Sequence, residues 1–255
     1  MSSVTLEIDG HIALITLNRA DKLNAMTPEM TDELRAHVAA VNGNDEIRAV
    51  MLTGAGPKSF CAGSDIRELD AYPTAWSFRG RPDYCDAVRS LTKPSIAAIN
   101  GYAFGGGLEM AMSCDIRIAS PNARFAAPEI KLGWIGGGGM TALLAHSIGP
   151  SNAALMVMTG DPVEADRGFA WGLVSEIVEA DTLLDRAREI AAAIAARAPI
   201  AAETAKLNLK AAYAMPLENA VQYERDLQTV CFATEDAEEG RRAFKEKRAP
   251  VFRRK

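Results

Sequence analysis

Glu109 stands in the run GGGLEMAMSC, among apolar neighbours and two residues after Gly105, Gly106 and Gly107. A strand-like segment, SIAAIN (95–100), precedes it, and helical character begins near Gly106. The first N–H groups of a helix have no partner within it, and glycine lets a ligand come against the bare main chain. The helix dipole there favours negative charge. Glu109 follows Gly106 by three residues, so both fall on one side of the first turn. Alone, this carboxylate reads equally well as a complement to the dipole. A second segment, SFCAGSDI (59–66), follows the strand RAVMLTG with another small-residue turn, Ala62-Gly63-Ser64. Two turns that each offer a backbone N–H are the parts of an oxyanion hole. A third segment, ARFAAPEIKLGW, carries Glu129 directly after Pro128 and among apolar residues; alone it also reads as a surface-loop glutamate. Together, two such carboxyls and two candidate donors suit acid–base chemistry at a carbonyl that becomes an enolate.

The elements that must hold these groups alternate. VTLEI and HIALITLN, joined by Asp9-Gly10, predict a hairpin. Thr27 and Pro28 predict a helix start as N-cap and first helical residue. RAVMLTG (48–54), SIAAIN (95–100), DIRIAS (115–120) and LVSEIV (173–178) predict strands with helices between them, hence an α/β class with crossover units over a covered sheet. After about residue 180 the pattern is helical only, punctuated by Pro199 and Pro216, with Thr234 as a further cap. The expected division is a core over residues 1–190 and a helical segment over residues 191–255.

Composition narrows the classes. A chain of 255 residues with 48% hydrophobic and 24% charged residues can build a sizeable core. A net charge of −5 gives no nucleic-acid footprint. The start MSSVTLEIDG shows no secretory pattern, and no apolar run approaches the roughly 18 residues of a membrane span. Cys61, Cys85, Cys114 and Cys231 never form a CxxC pair, and His11, His37 and His146 share no ligand spacing, so no metal site is expected. The thiols suit a reduced, cytoplasmic protein. GAGPKS (54–59) lacks the phosphate-loop pattern and Pro57 removes a donor; neither glycine cluster gives GxGxxG. Cys61, with no histidine near it in sequence, reads as a small buried hydrophobe rather than a nucleophile.

SFCAGSDI, KPSIAAINGYAFGGGLEMAMSCDIRIA and FAAPEIKLG resemble the signature segments of the crotonase superfamily, the enoyl-CoA hydratase/isomerase family, with similarity from about Val4 to Phe252. The resemblance implies a spiral of ββα units with C-terminal helices that mediate trimerisation, as a homotrimer or a hexamer built as a dimer of trimers. By matching motif, the backbone N–H groups of Ser64 and Gly106 would hold a thioester oxygen, and Glu109 and Glu129 fall on the acid–base pair of hydratases. Lys22, Leu23 and Ala25, in DKLNAM, and Ala62, Asp65 and Ile66 match parts that hold coenzyme A; Phe244 and Lys247 match a C-terminal element that often reaches a CoA, sometimes in a neighbouring subunit. Where the family usually shows a proline-glycine turn and GGTQRL, this chain runs from Trp134 through Gly136–Gly139 to Leu144. Trp134 and Gly137 would then shape the acyl pocket. The implied activity is hydration of a 2-enoyl-CoA with no cofactor beyond the substrate's own CoA. A carnitinyl-CoA dehydratase-like reaction and a Δ3-Δ2-enoyl-CoA isomerase are alternatives, since isomerases often keep only the Glu129 position. A non-catalytic RNA-binding relative is the reading from a different class, opposed by the acidic composition and the intact glutamate pair.

Overall fold

The computed structural model describes residues 2–255. Strands β1 (Val4–Asp9) and β2 (Ile12–Leu17) pair antiparallel with Asp9 opposite Ile12, so the turn is Gly10-His11, one residue later than the sequence suggests. Helix α1 (Pro28–Asn42) starts as expected: Thr27 is its N-cap, its side chain accepting from the Met30 N–H, with Pro28 at the first position. This side chain satisfies one of the helix's orphan donors.

From residue 49 the chain winds through three similar turns. Each contributes a strand to a first sheet and then a short strand to a second: β3 (Ala49–Gly54) and β4 (Ser59–Cys61), β5 (Ser95–Ile99) and β6 (Tyr102–Phe104), β7 (Ile116–Ala119) and β8 (Arg124–Ala126). Helices α2 (Ile66–Leu69), α3 (Ala75–Arg79) and α4 (Tyr84–Arg89) follow β4, and α5 (Gly106–Met112) follows β6. A 3-10 turn (Pro128–Leu132), α6 (Met140–Ile148) and α7 (Pro150–Thr159) follow β8. This is the expected spiral of ββα units.

The chain continues through β9 (Val163–Glu164), α8 (Ala165–Trp171) and β10 (Glu176–Ile177) to α9 (Leu183–Ala195), α10 (Pro199–Ala214), α11 (Leu217–Phe232) and α12 (Glu235–Glu246). The first sheet has the order β1-β2-β3-β5-β7-β10, parallel beyond the opening hairpin; the second has the order β4-β6-β8-β9. The strand expected over 173–178 shrinks to β10. The Leu173 N–H closes the end of α8 by donating to Gly168 O, which leaves few residues free to pair with β7.

β3 and β5 are buried along their whole length, which explains their unbroken apolar runs. One face packs into the main core; Leu183, Ala187 and Ala191 of α9 cover the other, against Met51, Ile96 and Ile118. Residue 190 therefore falls inside a helix that packs on the sheet. The helical segment beyond it, α10 to α12, is held differently. Lys206 of α10 is buried, and its ammonium donates to Asp115 (2.7 Å), Ser95 Oγ (3.2 Å) and Lys93 O (2.9 Å). Among the described residues no helix is long and apolar enough to cross a membrane.

Candidate active site

Gly105 N–H donates to Ala126 O, which joins the start of α5 to β8 (2.9 Å). The turn at 62–64 lies against the same place: a Cβ on Gly63 would stand 3.2 Å from Gly106 N and 3.0 Å from Phe104 O. That turn is fixed from its other side by the 23–26 segment. Ala62 N–H donates to Leu23 O (3.1 Å), Met26 N–H to Gly63 O (2.8 Å) and Asp65 N–H to Met26 O (2.8 Å). Among the described residues, neither the Ser64 nor the Gly106 N–H has a hydrogen-bond partner. Both residues line one cavity of about 360 Å³, together with Glu109, Glu129, Trp134 and Gly137. Two unpartnered main-chain donors on residues that line one cavity suit an oxygen that gains negative charge.

The two carboxyls are held in opposite ways. Glu109 is 4% exposed, and its Oε1 accepts from the N–H groups of Gly138 (2.8 Å) and Met140 (3.0 Å). The glycine run at 136–139 makes this possible. A Cβ on Gly138 would stand 2.6 Å from Glu109 Oε2 and 2.9 Å from Cys85 Sγ, so no larger residue brings its N–H so close. Arg89 donates to Gly138 O and steadies the loop from behind. Burial pushes the Glu109 carboxyl up, and the Met140 and Gly138 N–H groups oppose that by stabilising the carboxylate. Glu129 sits on the 3-10 turn after Pro128, with its Oε1 beside the start of α5: a Cβ on Gly105 would lie 2.7 Å from it. Among the described residues, its buried Oε2 has no hydrogen-bond partner. Burial pushes this carboxyl up to about 7, with the Glu109 charge adding to the effect. One carboxyl is thus provided for as an anion, and the other is left to favour its proton.

The sequence profile of the family described as Enoyl-CoA hydratase/isomerase matches residues 7–255. The chain belongs to the enoyl-CoA hydratase/isomerase family. An (E)-benzylidenesuccinyl-CoA hydratase of Thauera aromatica is 41% identical over 254 residues, 98% of each chain. A short-chain-enoyl-CoA hydratase of Clostridium acetobutylicum is 38% identical, over 97% of this chain and 96% of that one. An enoyl-CoA hydratase structure from Bacillus anthracis superposes with a TM-score of 0.95 at 34% identity, covering 100% of both chains.

Within this member of the enoyl-CoA hydratase/isomerase family, the residues expected to act together divide into four groups. Ala62, Ser64, Ile66, Gly106, Glu109, Glu129, Trp134 and Gly137 line the one cavity. Asp65 lines the adjoining cleft, but its carboxylate is engaged by Arg19 (2.9 Å) and Arg67 (3.2 Å). Those hydrogen bonds, Arg67 first and Arg19 second, hold its carboxyl down at about 2. Leu23 and Ala25 stand behind the 62–65 turn, Leu23 with φ 54 and its carbonyl accepting from Ser59 Oγ and Ala62 N–H. Leu23 fixes that turn, the Ala25 carbonyl accepts from Arg19, and neither residue lines the cavity. Lys22 is exposed next to Asp21, while Phe244 (85% exposed) and Lys247 lie at the end of α12, off the cavity lining. Cys61 is buried and its thiol is pushed up to about 12 by burial, which leaves it a packing residue.

Sequence reasoning missed the partners of Glu109 and the role of Tyr84. Gly138 and Met140 lie 29 and 31 residues from Glu109, and only the four-glycine run hinted that a backbone must come close there. Tyr84 lines the cavity and its hydroxyl bonds Ser64 Oγ at 2.9 Å, a contact that no local pattern announces.

Proposed function

We propose that the protein is an enoyl-CoA hydratase, adding water across the 2,3 double bond of a 2-enoyl-CoA thioester. The observation that carries this is the unequal holding of Glu109 and Glu129 beside two free main-chain donors. Glu109, as the carboxylate, takes a proton from a water that attacks C3. Electrons move onto the thioester oxygen, where the Ser64 and Gly106 N–H groups hold the enolate, each worth about 3 to 4 kcal/mol by the scale of known oxyanion donors. Glu129 gives its proton to C2 as the carbonyl re-forms. The step leaves Glu109 protonated and Glu129 ionised, and proton exchange with solvent restores both. The reaction so written draws on no metal or redox cofactor.

Hydration is favoured over double-bond isomerisation because isomerisation needs one base that moves one proton, and this site keeps a second carboxyl at the cost of burying it. A polar acyl group is a second reading, favoured by Arg79, Arg81, Asp83 and Asp86 in the cavity wall. The Thauera aromatica relative named for benzylidenesuccinyl-CoA points the same way. A panel of straight-chain and carboxylate-bearing 2-enoyl-CoA thioesters, followed by loss of the conjugated-enoyl absorbance, tests both. Hydration of the straight-chain members supports the first reading, and preference for the carboxylate-bearing members supports the second. Failure to hydrate any member, with 3-enoyl-CoA converted to 2-enoyl-CoA, overturns both in favour of an isomerase.

We further infer a homotrimer, or a hexamer of two trimers, assembled through α10 to α12. α11 buries no residue within the chain, while Leu209, Tyr213, Leu217 and Phe232 are exposed on this helical segment. Such a set of apolar side chains calls for a partner surface. A cytoplasmic location accords with the four free cysteines.

A further inference from the structure

The cavity contains a phenol that the proposed chemistry does not use. Tyr84, at the start of α4, is 7% exposed, and its hydroxyl stands between the two turns that supply the main-chain donors. On one side it bonds Ser64 Oγ at 2.9 Å. On the other it fills the space where a side chain on Gly106 would begin: a Cβ there would run into the Tyr84 hydroxyl oxygen and would come within 2.8 Å of its Cζ. Glycine at 106 is therefore demanded by this phenol as well as by the approach of a ligand. Tyr84 spans the gap between a loop residue on the β4 side and a helix residue on the β6 side, which no backbone hydrogen bond at Ser64 or Gly106 does.

We propose that Tyr84 is a positioning residue that sets the separation of the Ser64 and Gly106 N–H groups, and so tunes the oxyanion hole. The inference rests on the thioester reading of the site. Preorganised donors gain their effect from being fixed before charge develops. A turn of small residues such as Ala62-Gly63-Ser64 has little side-chain packing of its own to fix it. The bond from Tyr84 supplies what the turn lacks on its cavity side, as the Met26 main chain does on the other. Burial pushes the phenol well above its ordinary range, so it remains a neutral hydroxyl throughout the working pH range. Burial, the Cys85 and Cys61 thiols and the Glu109 charge all raise it, while Glu109 Oε1 accepts from Gly138 and Met140 and Asp83, next in sequence, accepts from the Cys85 N–H.

The test removes the bond from each end. Tyr84→Phe keeps the ring in place; Ser64→Ala leaves the phenol and its packing untouched and guards against a folding defect at Tyr84. Each is expected to lower kcat about 3- to 10-fold with KM within about twofold, the scale of one neutral hydrogen bond. The double variant should lose no more than the worse single one, because both remove the same contact. A second readout separates positioning from packing. Cinnamoyl-CoA bound to the Glu129→Gln protein should show a red-shifted absorbance from carbonyl polarisation. That shift should shrink when Tyr84→Phe or Ser64→Ala is added. Unchanged kcat and an unchanged red shift in both variants overturn the proposal, as do losses that multiply in the double variant. Absence of any red shift and of turnover in the unmodified protein would instead overturn the thioester reading itself.

Discussion

Replacing Glu129 by glutamine should make the protein more stable and far less active, with the stability gain dependent on pH. Glu129 carries a buried, unpartnered Oε2, and its carboxyl lies at about 7 instead of the ordinary 4.5. That difference corresponds to about 3 kcal/mol of preference for the neutral form. The side chain is only partly buried, so solvent screening reduces the cost of its charge to about 1.5 kcal/mol. The sign follows from linkage: a carboxyl raised in the folded state binds its proton more tightly there than in the unfolded chain. Stability is then lost as pH climbs from about 4.5 to about 7, and the loss is complete above that range. Glutamine stays neutral throughout. At about 2 to 4 °C per kcal/mol for a chain of this size, Glu129→Gln should melt about 3 to 6 °C above the parent at pH 8. At pH 4.5 the two should differ only by a packing offset. Calorimetry of both proteins without ligand across this range supplies the test, and only the growth of the difference with pH counts. A difference that stays flat, or falls as pH rises, refutes the assignment of Glu129 as the proton-bearing carboxyl. The same variant should lose about 10²- to 10⁴-fold in kcat.

Glu109→Gln keeps an oxygen to accept from Gly138 and Met140, and should lose about 10²- to 10⁴-fold in kcat with thioester binding nearly unchanged. If both carboxyls serve the one addition proposed, the Glu109→Gln, Glu129→Gln double variant should be much less impaired than the product of the single losses, and stopped-flow turnover of all three decides it. Lys206→Ala strands Asp115 at the foot of β7 and should cost about 3 kcal/mol, read as a lower denaturant midpoint with α10 losing protection from hydrogen exchange before the sheets do. Light scattering at micromolar concentration should give the mass of three or six chains, and a monomer would sink the assembly proposed for α10 to α12.

What the sequence disclosed and what it hid divide along a physical line. β3 and β5 were visible because both faces are covered, so every position is apolar or small over five to six residues. Thr27 and Thr234 marked helix starts because a cap is a local hydrogen bond within three residues. β4, β6 and β8 are three residues each, too short to show any alternation, and they exist because the neighbouring turn of the spiral pairs with them. Glu109 and Glu129 could be picked out as carboxyls among apolar neighbours. Their difference could not, because Gly138 and Met140 arrive from a loop some thirty residues on, and the orphan oxygen of Glu129 is a property of the packed site. The surroundings of the residues matched to coenzyme A were hidden as well: Asp65 is engaged by Arg19 and Arg67, and Phe244 is exposed and off the cavity lining.

The contrast between the two glutamates has a further consequence for what can vary in the loop from Trp134 to Met140. Two identical residues share a cavity, and in the proposed reaction the direction of proton flow follows from which of them receives main-chain donors. Gly138 and Met140 give theirs to Glu109, so its anion is stabilised by two charge-assisted bonds, each stronger than a neutral one. That anion in turn raises Glu129 and helps it hold the proton that the proposed reaction asks it to deliver. A substitution that displaced Gly138 would act on both carboxyls at once: Glu109 would lose a donor and rise, its charge would fade, and Glu129 would fall. The two would converge, and neither would be a good base or a good acid near neutral pH. Gly138→Ala, whose Cβ would press on Glu109 Oε2 and Cys85 Sγ, makes this concrete. It should flatten and narrow the pH profile of kcat/KM as well as lower its height. A profile of the parent's shape, merely scaled down, would mean that the loop acts only by shaping the cavity.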